Sequence, residues 1–367
     1  MTSMLDPDVG ERLASRTLEL VDVPSVSGEE GAILKTLAER VPAEFDVVDG
    51  EDGVLFVASG TRRPGSPFVV LAGHVDTVPP NGPLEGSREA GWVHGRGAAD
   101  MKGALAVMEQ TGAWLASDPR ASDLDVGLLF FAREELPIAH SALLPLFDRC
   151  PAARSIDLAI VMEPTANAIQ VGCMGNLNAQ VDVRGSAAHT ARPWLGRNAI
   201  HAAIEELGPI AAWGPRDVEI DGLVFREVVS VTSIEGGIAG NVVPDHVRAR
   251  INLRYAPTRS PADAEALLRE LVSHPDAEVH VIGNAPPGPV RATSALVERL
   301  RLAGDLPVEP KQAWTPVAEF GTIGVDAVNF GPGDPQYAHR DDERIGVPAL
   351  VRSYEVLRAF LAAREVG

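Results

Sequence analysis

Phe68-Val69-Val70-Leu71-Ala72-Gly73-His74-Val75-Asp76-Thr77-Val78-Pro79-Pro80 is the stretch on which the fold turns. Its opening run of apolar residues does not alternate, as expected of a strand buried on both faces of a parallel sheet. The run ends in a loop where a histidine and an aspartate stand two apart. In extended chain such side chains leave the same face, so the Asp76 carboxylate can accept the second ring N–H of His74 and fix its tautomer. The pattern recurs three times. Val126 to Ala132 ends in Arg133-Glu134-Glu135, and Leu158 to Met162 ends in Glu163-Pro164-Thr165. Val325 to Phe330 leads into Gly331-Pro332-Gly333-Asp334 and then His339. Ligands of open α/β sheets collect at the carboxyl ends of strands, so these four loops are expected to converge.

Outward from this core, Val9, Leu13 and Leu20 recur at helical spacing, with a stop before Pro24. Ser27-Gly28-Glu29-Glu30 has the form of a capping box opening a second helix. The middle of the chain changes character. Leu177, Ala179, Val181 and Val183 alternate with mostly polar neighbours, as in a strand with one wet face, and Asn198 to Leu207 reads as a helix. Strand-like Val228 to Ile234 and Val247 to Tyr255 follow, then a helix from Pro261 to about Val272, then Glu278 to Ile282. That β-α-β-β-α-β order is the ferredoxin-like arrangement, and Asn284 to Pro289 reads as its exit linker. The expected organisation is an α/β/α catalytic domain in two parts, 1–175 and 286–367, interrupted by an α+β domain at 176–285. The length agrees with two or three domains at about 150 residues each.

Composition excludes several classes of function. Lys and Arg number 32 against 51 Asp and Glu, a net charge of −19, and no basic run exceeds Arg62-Arg63. A nucleic-acid partner requires a basic footprint that is missing here. The first residues, MTSMLDPDVGERLASRTLELV, carry acids where an export signal needs a basic start and an apolar stretch. The longest apolar runs fall far short of the roughly 18 residues of a membrane span. Two cysteines, Cys150 and Cys173, offer no disulfide framework or metal pair, so a cytoplasmic protein without membrane association is expected.

GxSxG, HExxH and GxxxxGK[ST] do not occur, and Gly95-Arg96-Gly97 lacks the third glycine of a dinucleotide fingerprint. What remains is His74, Asp76, Asp100, Glu134, Glu135, Glu163 and His339. Imidazole with carboxylate and no cysteine suits zinc or its first-row neighbours. Singly each has an ordinary role: a structural histidine, a solvated glutamate pair, or Asp100 as the cap of a helix from Met101 to Leu115. Their joint occurrence at strand ends and helix starts is what points to a centre. On a regular strand Glu134 and Glu135 would face opposite ways, one toward metal and the other toward solvent or substrate.

Together with Gly95-Arg96-Gly97-Ala98-Ala99-Asp100-Met101-Lys102-Gly103, these loops resemble the co-catalytic di-zinc amidohydrolases of the M20 metallopeptidase family, over nearly the whole chain. The resemblance implies a zinc-exopeptidase-like catalytic domain with an inserted lid and dimerisation domain. It implies two zinc ions, with Co2+ or Mn2+ able to substitute. His74 and Glu163 would hold one ion, Glu135 and His339 the other, with Asp100 bridging and Glu134 as general base. It also implies a cis peptide between Asp100 and Met101. Three ligand carboxylates and a shared hydroxide would balance two divalent ions, where uncompensated charge is expensive. With ions roughly 3.5–4 Å apart, one polarises the substrate carbonyl while both acidify the attacking water. In the insert, Gly185 to Pro193 resembles the family's lid motif, which makes His189 the candidate oxyanion donor, acting on the partner's site in a homodimer. Asn241 and Arg254 match lid positions that hold substrate, and Arg254 could fork onto a carboxylate.

Within the family, Gly172 to Leu177, Ala188 to Gly196 and Asn329 to Glu343 are most similar to the succinyl-diaminopimelate desuccinylases of the actinobacterial type. The implied substrate is an N-acyl amino acid, N-succinyl-LL-2,6-diaminopimelate, cleaved on the path to lysine and cell-wall precursors. Arg192, Arg254 and Arg340 are the cations expected to meet its carboxylates. The chain departs from that subgroup at Cys173-Met174, where many members carry two arginines, at Pro316, and at Arg133. N-acetylornithine deacetylase, or another N-acyl amino acid amidohydrolase, is the alternative of the same class. A non-catalytic dimeric binding scaffold is the alternative of another.

Overall fold

The computed structural model describes residues 8–60, 62–80, 85–118, 120–272, 275–291 and 293–362. The chain divides into two compact units. The first comprises Met1–Val171, Arg291–Glu309 and Thr315–Gly367, and the second Gly172–Val290 with Pro310–Trp314.

An eight-stranded sheet organises the first unit, in the order Phe45–Asp49, Val54–Ser59, Asp125–Phe131, Phe68–His74, Leu158–Val161, Ala327–Asn329, Ile169–Val171 and Val308–Pro310. The four central strands are parallel. Antiparallel strands flank them on both sides. Every residue of Phe68–His74 and Asp125–Phe131 is buried, which is why neither strand alternates. One face packs Phe68, Val70, Ala72, Leu129 and Phe131 against Leu143, Leu146, Phe147, Val317 and Phe320, from helices Leu143–Arg149 and Val317–Thr322. On the other face helix Gly103–Ser117 brings Leu105 and Met108 against Gly73. Helices Val9–Val21 and Val347–Leu361 pack on that helix. The result is the expected α/β/α sandwich, each fully buried Leu or Phe contributing roughly 1.5–3 kcal/mol. Because the central strands are parallel, all four loops quoted above leave one edge of the sheet. A small sheet of Ser87–Glu89, Trp92–His94 and Arg344–Gly346 flanks the segment leading to Asp100.

The second helix departs from expectation. It runs Gly31–Ala38 with Glu30 at its N-terminus and no side-chain cap. Gly28, at φ +95, turns the chain, and the hydroxyl of Ser27 is committed to the Asp76 carboxylate at 2.7 Å.

In the second unit a five-stranded antiparallel sheet runs in the order Arg216–Ile220, Leu223–Gly236, His246–Tyr255, Gly175–Arg184 and Ala277–Ala285. Leu177, Ala179, Val181 and Val183 face helices Ala199–Ala212 and Pro261–Leu271. Asn198 caps the first of these helices, and a Ser260–Asp263 capping box opens the second. This is the ferredoxin-like order with one added edge strand, Arg216–Ile220, whose Val218 and Ile220 alternate with exposed polar residues and pack against the cluster of Met174, Phe225 and Ala256. Pro310–Trp314 join this unit through Met174 N–H to the Ala313 carbonyl at 3.3 Å and Arg226 N–H to the Gln312 side chain at 3.1 Å. Among the described residues no helix is long and apolar enough to cross a membrane.

Glu319 is an acid placed in the core. It is 3 % exposed, between Val317 and Phe320, and accepts the hydroxyl of Ser141. Burial lifts its carboxyl from 4.5 to about 7, the Ser141 hydrogen bond opposing in part. A raised carboxyl keeps its proton in the folded chain after the unfolded chain has lost it, so stability falls as pH rises from about 4.5 to about 7. Glu319→Gln should therefore gain on the wild type by on the order of 3 kcal/mol between pH 4.5 and pH 8. Urea unfolding of both chains at the two pH values checks this; a pH-independent difference would contradict it.

Candidate metal centre

His74 is the last residue of its strand and is 1 % exposed. Its Nδ1 lies 3.0 Å from the main-chain oxygen of Asp76 and 3.6 Å from that residue's Oδ1. The ring N–H therefore goes to the backbone carbonyl rather than to the carboxylate expected from the sequence. The Asp76 carboxylate is used otherwise. It accepts the backbone N–H groups of Glu134 and Glu135 at 3.0 and 3.1 Å, besides the Ser27 hydroxyl. Burial alone would raise the Asp76 pKa, but His74 and these donors hold it below the ordinary carboxylate value.

Glu134 and Glu135 do not sit on a regular strand. Arg133 adopts φ +65 just past the end of Asp125–Phe131 and turns the chain, and its guanidinium is tied to the Asp52 carbonyl at 2.9 Å. The two glutamates then stand in a turn whose backbone is held by Asp76.

Asp100 is presented differently, in the segment Ala98–Lys102, after which the helix starts at Gly103. The Asp100–Met101 peptide is cis. Three anchors hold the segment. The Lys102 ammonium donates to the Val23 carbonyl at 2.7 Å. Its backbone N–H bonds the Gly97 carbonyl at 2.7 Å. Glu343 accepts the N–H groups of Ala99 and Asp100, each at 3.1 Å. Glu163 and His339 come from loops that interlock. The Ala166 N–H donates to the Gly333 carbonyl at 2.7 Å and the Gly331 N–H to Thr165 Oγ1 at 3.0 Å. A Cβ on Gly331 would lie 2.2 Å from the Met162 carbonyl, and one on Gly333 2.2 Å from that of Ala99, so glycine permits the close approach.

The donor atoms form three overlapping sets. His74, Asp100 and Glu163 make one, Asp100, Glu135 and His339 a second, and His74, Glu134 and Glu135 a third, the atoms within each set lying within 4.8 Å of one another. Asp100 belongs to the first two. Its Oδ1 is 3.0 Å from His74 Nε2 and its Oδ2 3.4 Å from His339 Nε2, while Glu135 Oε1 is 2.9 Å from His339 Nε2. Each imidazole thus aims a nitrogen at carboxylate oxygen, and the line between them must carry a proton or a cation. Burial would lower the His74 pKa, but Asp100 and Asp76 push it well above its ordinary value. Asp100 and Glu135 push His339 up to about 10 against partial burial. Burial of Asp100 is outweighed by His339 and His74, which hold it well below the carboxylate range. Desolvation, then the charges of Glu163, Glu135 and Asp100, drives Glu134 well above its ordinary value. Carboxylates crowded around two imidazoles, with one oxygen of Asp100 toward each ring, fit a pair of divalent cations.

The insert residues lie in the second unit. His189 is on the short strand Ala188–His189, paired with Val242–Val243. The Ala191 N–H donates to its Nδ1 at 3.0 Å, which leaves the ring proton on Nε2 and makes that nitrogen a donor. Asn241 accepts the Thr190 N–H through its carbonyl at 3.2 Å. Arg254 is half-buried and donates to Asn252 at 3.1 Å. Arg192 is exposed, and Arg340, in the first unit, is paired with Asp342 at 2.8 Å. Arg96 and Glu343 have no role assigned from the sequence, and Ser27 reads there only as a helix cap. Their work is done on backbone donors and neighbouring carboxylates, which no spacing rule encodes.

Residues 70–363 match peptidase family M20/M25/M40. A Mycobacterium tuberculosis protein carrying the name succinyl-diaminopimelate desuccinylase DapE is 38% identical over 94% of this chain and 96% of its own. The Corynebacterium glutamicum succinyl-diaminopimelate desuccinylase is 35% identical over 94% and 95%. Among solved structures, the Bacillus cereus aminopeptidase PepT aligns with a TM-score of 0.76 at 20% identity, covering 96% of this chain and 98% of its own. A Bacillus subtilis dinuclear metal-binding peptidase of the M20 family aligns with a TM-score of 0.70 at 15% identity, covering 97% and 98%. These structures share the fold described above.

The interlocked loops yield a test. Gly333→Ala should cost about 1–3 kcal/mol by overpacking and weaken metal binding, whereas Gly31→Ala, with open space around its Cβ, should be neutral. Urea unfolding and zinc titration of both variants check this; an unaffected Gly333→Ala would contradict the close packing.

Proposed function

The chain belongs to peptidase family M20/M25/M40, and from that premise we propose that it hydrolyses the amide bond of N-succinyl-LL-2,6-diaminopimelate to succinate and LL-2,6-diaminopimelate. It is a metal-dependent amidohydrolase. The observation that carries the reading is Asp100 between two imidazoles, in a chain similar end to end to two proteins named for this reaction.

His74, Glu163 and Asp100 would hold one zinc ion and Glu135, His339 and Asp100 the other, with Co2+ or Mn2+ able to substitute. When bound, the pair supplies Lewis acidity to the substrate carbonyl and to the attacking water. Glu134 takes the proton of that water and returns it to the departing amine. Asp76 fixes the backbone of the two glutamates and Ser27 fixes Asp76. His189, with its proton on Nε2, would donate to the oxyanion in the partner subunit's site. The exposed Trp194, Leu195 and Ile204 of the insert support a homodimer formed through that domain. Asn241, Arg254, Arg192 and Arg340 would hold the substrate, and a cytoplasmic location fits a biosynthetic amidohydrolase.

One observation favours a second reading. Cys173 and Met174 are fully buried, Met174 against Phe225 and Ala256, so neither position offers a cation to a second carboxylate. N-acetylornithine, or another N-acyl amino acid with fewer carboxylates, is the alternative substrate.

Two experiments separate these statements. Steady-state rates on the zinc-loaded protein should favour N-succinyl-LL-2,6-diaminopimelate over N-acetylornithine; the reverse preference would move the assignment to the second reading. Glu134→Gln should keep its metal and lose about 10²–10⁴-fold in kcat. Wild-type turnover in that variant would overturn the general-base role.

A further inference from the structure

We propose that Glu343 is a positioning residue that ties the His339 loop to the Asp100 segment and so sets the affinity of the second metal position, formed by Glu135, His339 and Asp100. The inference rests on the two-ion reading above. Glu343 is 3 % exposed and four residues past His339. Its Oε1 accepts the N–H groups of Ala99 and Asp100, its Oε2 accepts Arg96 Nη1 at 2.7 Å, and its carbonyl accepts the Gly95 N–H at 3.0 Å. One residue thereby grips the backbone from Gly95 to Asp100.

The two metal positions depend on this grip unequally. His74 ends a strand and Glu163 directly follows one, with the sheet behind both. His339 has no such support. Its side chain is 51 % exposed, its φ is +62, and the next ordered strand of its loop begins at Arg344. Glu343 is the contact that fixes the far end of that loop against the segment carrying Asp100. Buried carboxylates that orient ligand-bearing groups typically govern metal affinity by about 10–100-fold.

The burial of Arg96 strengthens the case. Its side chain is 9 % exposed and its charge is answered by Glu343. A buried ion pair of this kind is a poor source of net stability but a sound means of fixing geometry.

The test is a cobalt and zinc titration of the full chain, following Co2+ absorption bands and bound zinc, with thermal unfolding of the metal-free protein alongside. Wild type should bind two ions in two resolvable steps. Glu343→Gln retains an acceptor for the two N–H groups and should weaken the second step about 10–100-fold, and more than the first, to which Asp100 also contributes. Glu343→Ala should bind one ion and lose the Co2+ bands of the second step. Unchanged titrations in both variants would overturn the inference. So would equal weakening of both steps accompanied by a lower melting temperature of the metal-free chain, which marks a merely structural role. If the Ala variant does not fold, the Gln titration decides alone. A wild type that binds a single ion refutes the two-ion reading itself, and Glu343 with it; that result is visible before any variant is made.

Discussion

Carboxylates gathered at one end of a parallel sheet repel one another, and the centre of this protein is built around that repulsion. Asp100, Glu134, Glu135 and Glu163 converge there with the imidazoles of His74 and His339. Placing such groups out of water is tolerable when each charge is paired or bound to a cation. Asp100 meets the requirement on both sides, one oxygen toward each histidine. The remainder of the first unit can be understood as the scaffold that makes this convergence rigid. Four parallel strands bring the loops to one edge, and hydrogen bonds to Asp76, Thr165 and Glu343 keep the loops there.

Two kinds of support divide the work. The strand ends supply position by covalent continuity with the core, as at His74 and Glu163. The segments Ala98–Lys102 and 331–346 are not continuous with a central strand at the point where they carry a ligand, and buried polar side chains hold them instead. Lys102 grips Val23 and Glu343 grips Ala99 and Asp100. Such devices add little to net stability, since the desolvation of each charge offsets most of what its partner returns. They restrict where Asp100 and His339 can be, which is what a candidate metal centre demands of its scaffold.

What was legible in the sequence follows from the same division. Phe68–Ala72 announced a doubly buried strand because both faces of the sheet are covered, and the alternation from Leu177 to Val183 announced a sheet with one covered face. Both signals are periodicities of burial, which a single sequence displays. The candidate residues of the centre stand out in the sequence because imidazole and carboxylate directly after apolar runs are unusual in combination. The hydrogen-bond wiring was not. Ser27 looked like a helix cap until Gly28 turned the chain and left its hydroxyl to Asp76. Asp76 was expected to hold the His74 ring, but the backbone carbonyl is nearer and the carboxylate serves Glu134 and Glu135. The edge strand Arg216–Ile220 shows its alternation through Val218 and Ile220 alone, too short a run to mark a strand by itself. Glu343 lay within a quoted motif without a role, because its partners are backbone N–H groups 243 and 244 residues away.

The central claim is that one carboxylate, Asp100, is shared between two metal ions. Anomalous diffraction at the zinc edge, on crystals of the zinc-loaded protein, tests it most directly. The account predicts two peaks roughly 3.5–4 Å apart, one beside His74 and Glu163 and the other beside Glu135 and His339, with Asp100 between them. A single peak, or two peaks of which only one contacts Asp100, would contradict it.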